Sequence, residues 1–195
     1  MFFLPTCRLY PHPSACIPDL VHKHYEQEIH VHILPPCQYP DTLQAMRSFS
    51  IRRTTQHADQ IWVLEHFPCY TLHPKKAHTH IISTLPYPLY ETDRGGDITH
   101  HAPGQIMLYT LLNVRTAHFG VKHVVSMLEQ LTIDLLTDLG ITAYADPQAR
   151  GVYIDGKKIA SIGLKIASGY CYHGLAINVD MDLQGFASIT PCGFE

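Results

Sequence analysis

VYIDGKKIASIGLKIASGYCYHGLAINV, residues 152–179, is the stretch whose reading decides the fold. Val152-Tyr153-Ile154 runs through Asp155-Gly156, a strong two-residue hairpin signal, into a strand over Lys158–Ile166. Ser168-Gly169 turns the chain again into a strand over Tyr170–Val179. Upstream, residues 121–139 read as a helix. Val124, Val125, Leu128, Leu131, Leu135 and Leu139 form its apolar stripe, and Gly140 supplies a left-handed cap. Ile106–Leu112, Leu89–Thr92, Cys69–Leu72 and Ile61–Leu64 read as further strands, and Lys75–Pro88 as loop. Pro40-Asp41 opens a second helix carrying Leu43, Met46 and Phe49. Ile29, Val31 and Ile33 alternate with histidines as in a half-buried strand. Strands mixed with two or three helices predict an α+β (mixed α/β) domain.

Side-chain parity in the meander separates two faces. On the first strand Lys158, Ala160, Ile162, Leu164 and Ile166 share one face, and Ile159, Ser161, Gly163 and Lys165 the other. Lys158 thus falls on the apolar side, where a desolvated amine suits proton transfer or charge stabilisation. The plainer alternative is a strand-end lysine that snorkels to water. The next strand places Cys171, His173, Leu175, Ile177 and Val179 together, with His173 readable as an ordinary core histidine. Near the end, Pro191-Cys192-Gly193 could present a thiol as a nucleophile or hold an inert one.

The segment Arg94-Gly95-Gly96-Asp97-Ile98-Thr99-His100-His101-Ala102-Pro103-Gly104-Gln105 is the least ordinary in the chain. Its glycines can bring backbone N–H groups against a carbonyl oxygen. It lacks the Gly-Lys-Ser/Thr of a phosphate-binding loop and is no dinucleotide fingerprint. His100 and His101 are adjacent and point opposite ways on a strand, so no metal site is expected.

Composition narrows the function classes. The chain has 195 residues, 46% of them apolar and 16% charged, which excludes a disordered or fibrous protein. One domain is expected at this length, with residues 1–27 as a flexible, proline-bearing extension and residues 28–195 as the globular domain. The formal charge of −3 argues against nucleic-acid binding. No apolar run reaches the ~20 residues needed to span a bilayer. Cys7, Cys16, Cys37, Cys69, Cys171 and Cys192 form no CxxC pair, and their scatter fits reduced thiols in a cytoplasmic protein. The 15 histidines make acid the condition that changes the charge most.

Three separated segments resemble one family. RGGDITHHAPGQ is similar to the RGG…T-H-H-G-P-G-Q loop of octanoyltransferases, the lipoyl(octanoyl)-acyl-carrier-protein:protein transferases. KKIASIGLKI followed by HGLAINV resembles their lysine-bearing and H-G-x-A-x-N-V segments, and Pro191-Cys192-Gly193 their P-C-G. EHFPCYTLH adds a fourth match, and the order and spacing agree. The resemblance implies a mixed β-sheet flanked by helices, related to the catalytic domains of lipoate- and biotin-protein ligases, and no cofactor. It implies transfer of an octanoyl group from acyl carrier protein to one lysine of a lipoyl domain. The recipients implied are the acyltransferase subunits of 2-oxoacid dehydrogenases and the glycine-cleavage H protein.

By the same resemblance Cys192 is the nucleophile, and Lys158 favours its thiolate and handles protons. Arg94, Gly95, Gly96, Asp97, Ile98, Thr99, His100 and His101 would surround the acyl group with Ser161-Ile162-Gly163 and Gly174-Leu175-Ala176. Burying about six methylenes at ~0.8 kcal/mol each contributes roughly 5 kcal/mol, enough to prefer a medium chain over acetyl. The chain departs from the family at Ala102, His73 and Asp97, and in stopping at Glu195, from which a shortened C-terminus is expected. The competing expectations are an ATP-dependent lipoate- or biotin-protein ligase on the same fold, which Cys192 and the absence of a triple glycine argue against, and a non-catalytic metal- or acyl-binding domain.

Overall fold

A computed structural model describes residues 28–75, 80–115 and 120–190. Both the expected extension over 1–27 and the segment Pro191–Glu195, with Cys192, lie outside the described residues. Alternating apolar positions and turn residues build strands β1 (Ile29–Ile33), β2 (Asp59–Leu64), β3 (Cys69–Leu72), β4 (Leu89–Glu91), β5 (Thr99–His101) and β6 (Gln105–Asn113). Strands β7 (Tyr144–Ala145), β8 (Val152–Ile154), β9 (Lys157–Ala167) and β10 (Tyr170–Asn178) follow the helices α1 (Tyr39–Arg52) and α2 (Val121–Asp138). A 3-10 helix over Leu183–Ser188 closes the described chain. Seven strands form one sheet in the order β1-β2-β6-β10-β9-β8-β7, and β4-β3-β5 form a second. Only the β1–β2 and β3–β4 pairs are parallel, so the architecture is the mixed α/β one expected.

The two faces of the large sheet are covered by different helices, as period-2 alternation on β6 requires. Met107, Tyr109 and Leu111 pack with Tyr39, Leu43 and Met46 of α1. Leu112 packs with Val124 and Leu128 of α2. Pro40 at the start of α1, Asp41 in its first turn and Arg52 in its last suit the helix ends and their partial charges. At one end of the sheet Arg53 and Asp59 form a fully buried ion pair. Arg53 Nη1 also donates to the Leu111 carbonyl at 2.7 Å, and Asp59 accepts from the Asn113 N–H at 2.8 Å. Those extra bonds return part of the desolvation cost of a buried pair, while burial still pushes the Asp59 carboxyl up to about 7. No helix of the described residues is long and apolar enough to cross a membrane.

Four local expectations are corrected. Val31 and Ile33 are 53% and 72% exposed rather than half-buried, because β1 is the outermost strand, paired with β2 alone, and α1 packs farther in. The buried face of α2 is Val124, Leu128, Glu129, Thr132 and Leu136, whereas Leu131, Leu135 and Leu139 face outward. The apolar residues of this 18-residue helix lie on more than one side, so two stripes were open, and the one containing a carboxylate is the buried one.

The parity of Lys158 is reset by a β-bulge. Val152 pairs with Ala160 but Tyr153 pairs with Lys158, so Ile159 is extra. Ile159 joins Ala160 and Ile162 in the α2-side core, and Lys158 turns away from it. His173 departs from parity for a different reason. Its φ of 64° is left-handed, which costs a non-glycine residue about 1–3 kcal/mol. The ring consequently lies beside that of Tyr172, with centroids 5.0 Å apart, instead of on the Cys171–Leu175 face.

Candidate active site

The middle of the large sheet carries small residues on two neighbouring strands. Gly163 of β9 and Gly174 of β10 are cross-strand partners, flanked by the pair Ser161 and Ala176. A Cβ on Gly174 would stand 1.9 Å from the Leu108 carbonyl oxygen, and one on Gly163 would stand 2.8 Å from that of Gly95. Glycine is therefore required at both positions by close approach of backbone. The resulting trough of small residues is walled by Met107, Tyr109, Tyr153 and Phe186 into a cavity of about 1040 Å³. That is at the upper end of the ~300–1,000 Å³ range of small-molecule sites.

The loop from β4 to β5 forms another wall and is fastened at two points. Gly95 N–H donates to the Leu164 carbonyl at 3.0 Å, laying the loop on β9. Asp93 accepts from the Tyr172 hydroxyl at 2.6 Å, from Arg47 Nε at 3.3 Å, and pairs with His173 Nε2 at 2.8 Å. The left-handed turn at His173 is what lets two consecutive side chains of one strand reach a single carboxylate. Burial alone would raise the Asp93 carboxyl, but the bonds from His173 and Tyr172 and the nearby cations hold it well below the usual carboxylate range. Burial lowers His173, against the pull of Asp93, so its ring favours neutrality.

A chain of hydrogen bonds runs along the wall. Arg94 Nη2 donates to Thr71 Oγ1 at 2.8 Å. The Thr71 hydroxyl then donates to His101 Nε2 at 3.1 Å, and His101 Nδ1–H to Gln105 Oε1 at 2.7 Å. Gln105 Nε2 donates in turn to Asn178 Oδ1 at 2.8 Å. Beside it, His66 donates from Nδ1 to the Cys37 carbonyl and accepts from the Tyr109 hydroxyl at 2.7 Å. Burial lowers both imidazoles, His66 to about 4 and His101 well below its ordinary value, the latter helped by His66 and Arg94. Tyr39, bonded to Thr92 Oγ1 at 2.6 Å, is pushed up to about 12 by burial. These groups are neutral hydrogen-bonding walls near pH 7.

Lys158 is half-buried at the opposite side of the cavity. Its Nζ donates to the Arg150 carbonyl at 3.1 Å and stands 5.3 Å from the Tyr153 ring centroid. Arg94, Gly96, Asp97, Ile98, Thr99, His101, Ser161, Ile162, Gly163, Gly174, Leu175 and Ala176 share the cavity with it. Two residues expected there stand behind the wall instead. Gly95 is turned onto β9 by its bond to Leu164. His100, opposite in parity to His101, is buried between Tyr70, Tyr87 and Phe186 with Nδ1 on the Cys69 carbonyl. Cys192 lies outside the described residues, while Thr190, two positions before it, lines the cavity.

Several site residues escaped the sequence reading. Asp93 adjoins Arg94 but carries no motif signal of its own. Tyr39 comes from α1, far away in sequence, and His66 stands in the matched segment EHFPCYTLH, where it was given no role at the site. Glu129 had a signal, an acid within the apolar face of α2, which the wrong choice of stripe concealed.

The family described as Lipoyl protein ligase A/B catalytic domain matches residues 39–195. An octanoyltransferase of Pseudomonas entomophila is 47% identical over 156 residues, covering 80% of this chain and 73% of its own. One of Thiobacillus denitrificans is 41% identical over 191 residues, covering 98% and 81%. Among solved structures, a bipartite lipoate protein ligase of Thermoplasma acidophilum aligns with TM-score 0.66 and 14% identity, covering 84% of this chain and 66% of that one. A lipoate-protein ligase A bound with ATP aligns with TM-score 0.66 and 11% identity, covering 85% and 71%. Those two likenesses show a shared fold. With its glycine-floored cavity and its sequence identity to these relatives, the chain belongs to the octanoyltransferases, acyltransferase enzymes of the lipoyl protein ligase A/B catalytic-domain family.

Proposed function

We propose that this enzyme carries an octanoyl group from acyl carrier protein to a specific lysine of a lipoyl domain, by way of a thioester on Cys192. The observation that carries the reading is the Lys158 ammonium, fixed on the Arg150 carbonyl at the edge of a glycine-floored cavity whose wall continues to Thr190. A thiolate at Cys192 attacks the donor carbonyl carbon, the bond to the carrier sulfur breaks, and Lys158 gives that sulfur a proton. An acceptor amine then attacks the enzyme thioester, the bond to Cys192 breaks, and Lys158 takes the proton the nitrogen sheds. The net exchange is one thioester and one amine for one amide and one thiol.

Thioester exchange is nearly neutral in free energy, and amide formation drives the second half, so no ATP is consumed. The octanoyl chain occupies the cavity that Ser161, Gly163, Gly174 and Ala176 line. Lipoyl domains of 2-oxoacid dehydrogenase acyltransferase subunits and the glycine-cleavage H protein are the acceptors this reading assigns. A thiol nucleophile works in a reducing compartment, which is consistent with a cytoplasmic enzyme.

Incubation with octanoyl-acyl carrier protein and no ATP is expected to add one octanoyl mass at Cys192, released by hydroxylamine. Lys158→Ala is expected to slow its appearance, and Cys192→Ala to abolish it. An adduct that persists in Cys192→Ala, or transfer that requires ATP, overturns the mechanism.

A further inference from the structure

Lys158 is not held in place by its own strand. Its Nζ bonds to the Arg150 carbonyl, and its methylenes cross Gly151, where a Cβ would come within 3.2 Å of Lys158 Cε. The Tyr153 ring beneath the ammonium donates its hydroxyl to the Ala149 carbonyl at 2.6 Å. Residues 149–151 thus hold both the amine and its aromatic floor, yet they belong to no helix or strand, and Gly151 has a φ of 136°. What fixes them is a carboxylate from another element. Glu129 of α2 accepts from Arg150 Nη1 at 3.0 Å through one oxygen and from the Gly151 N–H at 3.0 Å through the other. Its side chain is only 5% exposed, on the face of α2 that otherwise buries Val124, Leu128 and Leu136. A buried carboxylate is costly unless it is fully bonded, and packing alone would favour a leucine here.

We infer that Glu129 is the positioning residue for Lys158, acting through the Ala149-Arg150-Gly151 loop that it clamps with both oxygens. The inference rests on the proposed role of Lys158 in proton transfer. A rigid helix carries the anchor, the loop carries the carbonyl, and the carbonyl aims the ammonium. Losing the anchor frees the carbonyl to move by an ångström or more, a displacement that costs a reaction on the order of 10²-fold.

The test is octanoyl transfer from octanoyl-acyl carrier protein to a lipoyl domain, with the pH profile of Cys192 alkylation read by mass spectrometry. Glu129→Gln and Glu129→Ala are expected to lower kcat/KM on the order of 10²-fold, mainly through kcat. In a Lys158→Ala background the same changes are expected to cost almost nothing more, since residues acting as one unit are non-additive. The alkylation profile of Glu129→Gln is expected to shift in the same direction as that of Lys158→Ala. Should Glu129→Ala not fold, Arg150→Ala, which trims a surface arm of the same clamp, is expected to give a smaller loss with the same non-additivity. Additive losses with an unshifted alkylation profile overturn the inference and leave Glu129 a helix-to-sheet contact. Undiminished transfer in Lys158→Ala instead overturns the role of the lysine itself.

Discussion

Gly163 shows how one missing atom group sets the site. The hydrogen position it offers in place of a Cβ is where the Gly95 carbonyl and the Arg94 side chain rest, the latter within 2.9 Å at Cδ. Gly163→Ala is expected to push the Arg94 loop off β9. Octanoyl transfer should fall on the order of 10²-fold, while circular dichroism stays that of the parent. Equal activity in the alanine variant would show that the loop can yield without consequence. Gly163 and Gly174 were legible in the sequence as members of segments expected to surround the acyl group, but what approaches them was not. Leu108 and Gly95 reach Gly174 and Gly163 only through the sheet pairing. His173 was misplaced for the same reason: parity assumes extended backbone, and the contact with Asp93 that makes a left-handed residue tolerable is made by a loop some eighty positions earlier.

Elements were easier to read than their orientation. Both helices, the Asp155-Gly156 hairpin and the strands of the meander follow from periodicity and turn chemistry. Which stripe of α2 faces the sheet does not, because leucines stand on both sides of it. Burial resolves the ambiguity and makes it measurable. Leu128→Ala is expected to destabilise the protein by about 2–5 kcal/mol, as a truncated core leucine does. Leu131→Ala and Leu135→Ala, whose side chains face outward, should stay within about 0.5 kcal/mol in urea unfolding. The reverse ranking would mean that the helix is rotated about its axis. The bulge at Ile159 belongs to this scale too. One residue inserted between Lys158 and Ala160 decides that the amine meets the cavity rather than α2, and nothing in KKIAS announces an extra residue.

At the scale of the whole molecule, the buried imidazoles link stability to acidity. Burial lowers His66, His100, His101 and His173, so the unfolded chain binds protons that the folded one refuses. Their contribution is complete above the unfolded value of ~6.5 and is lost as pH falls below it, for His66 until about 4. Asp59, pushed up to about 7 by burial, acts in the opposite sense as a single group. Four imidazoles against one carboxyl set the sign. The urea midpoint is expected to fall between pH 6.5 and pH 4.5, and a midpoint that rises over that interval would contradict the burial of these rings. The bonds from Arg94 through Thr71, His101 and Gln105 to Asn178 carry a second consequence. A guanidinium can give hydrogens but never receive them, so one lone pair of the Thr71 hydroxyl is always spent on Arg94. The single hydrogen of that hydroxyl goes to His101 Nε2, which leaves the imidazole hydrogen on Nδ1 and turns the Gln105 oxygen towards it and the Gln105 nitrogen towards Asn178. Replace that cation with a side chain able to receive, and the threonine's hydrogen acquires a rival destination.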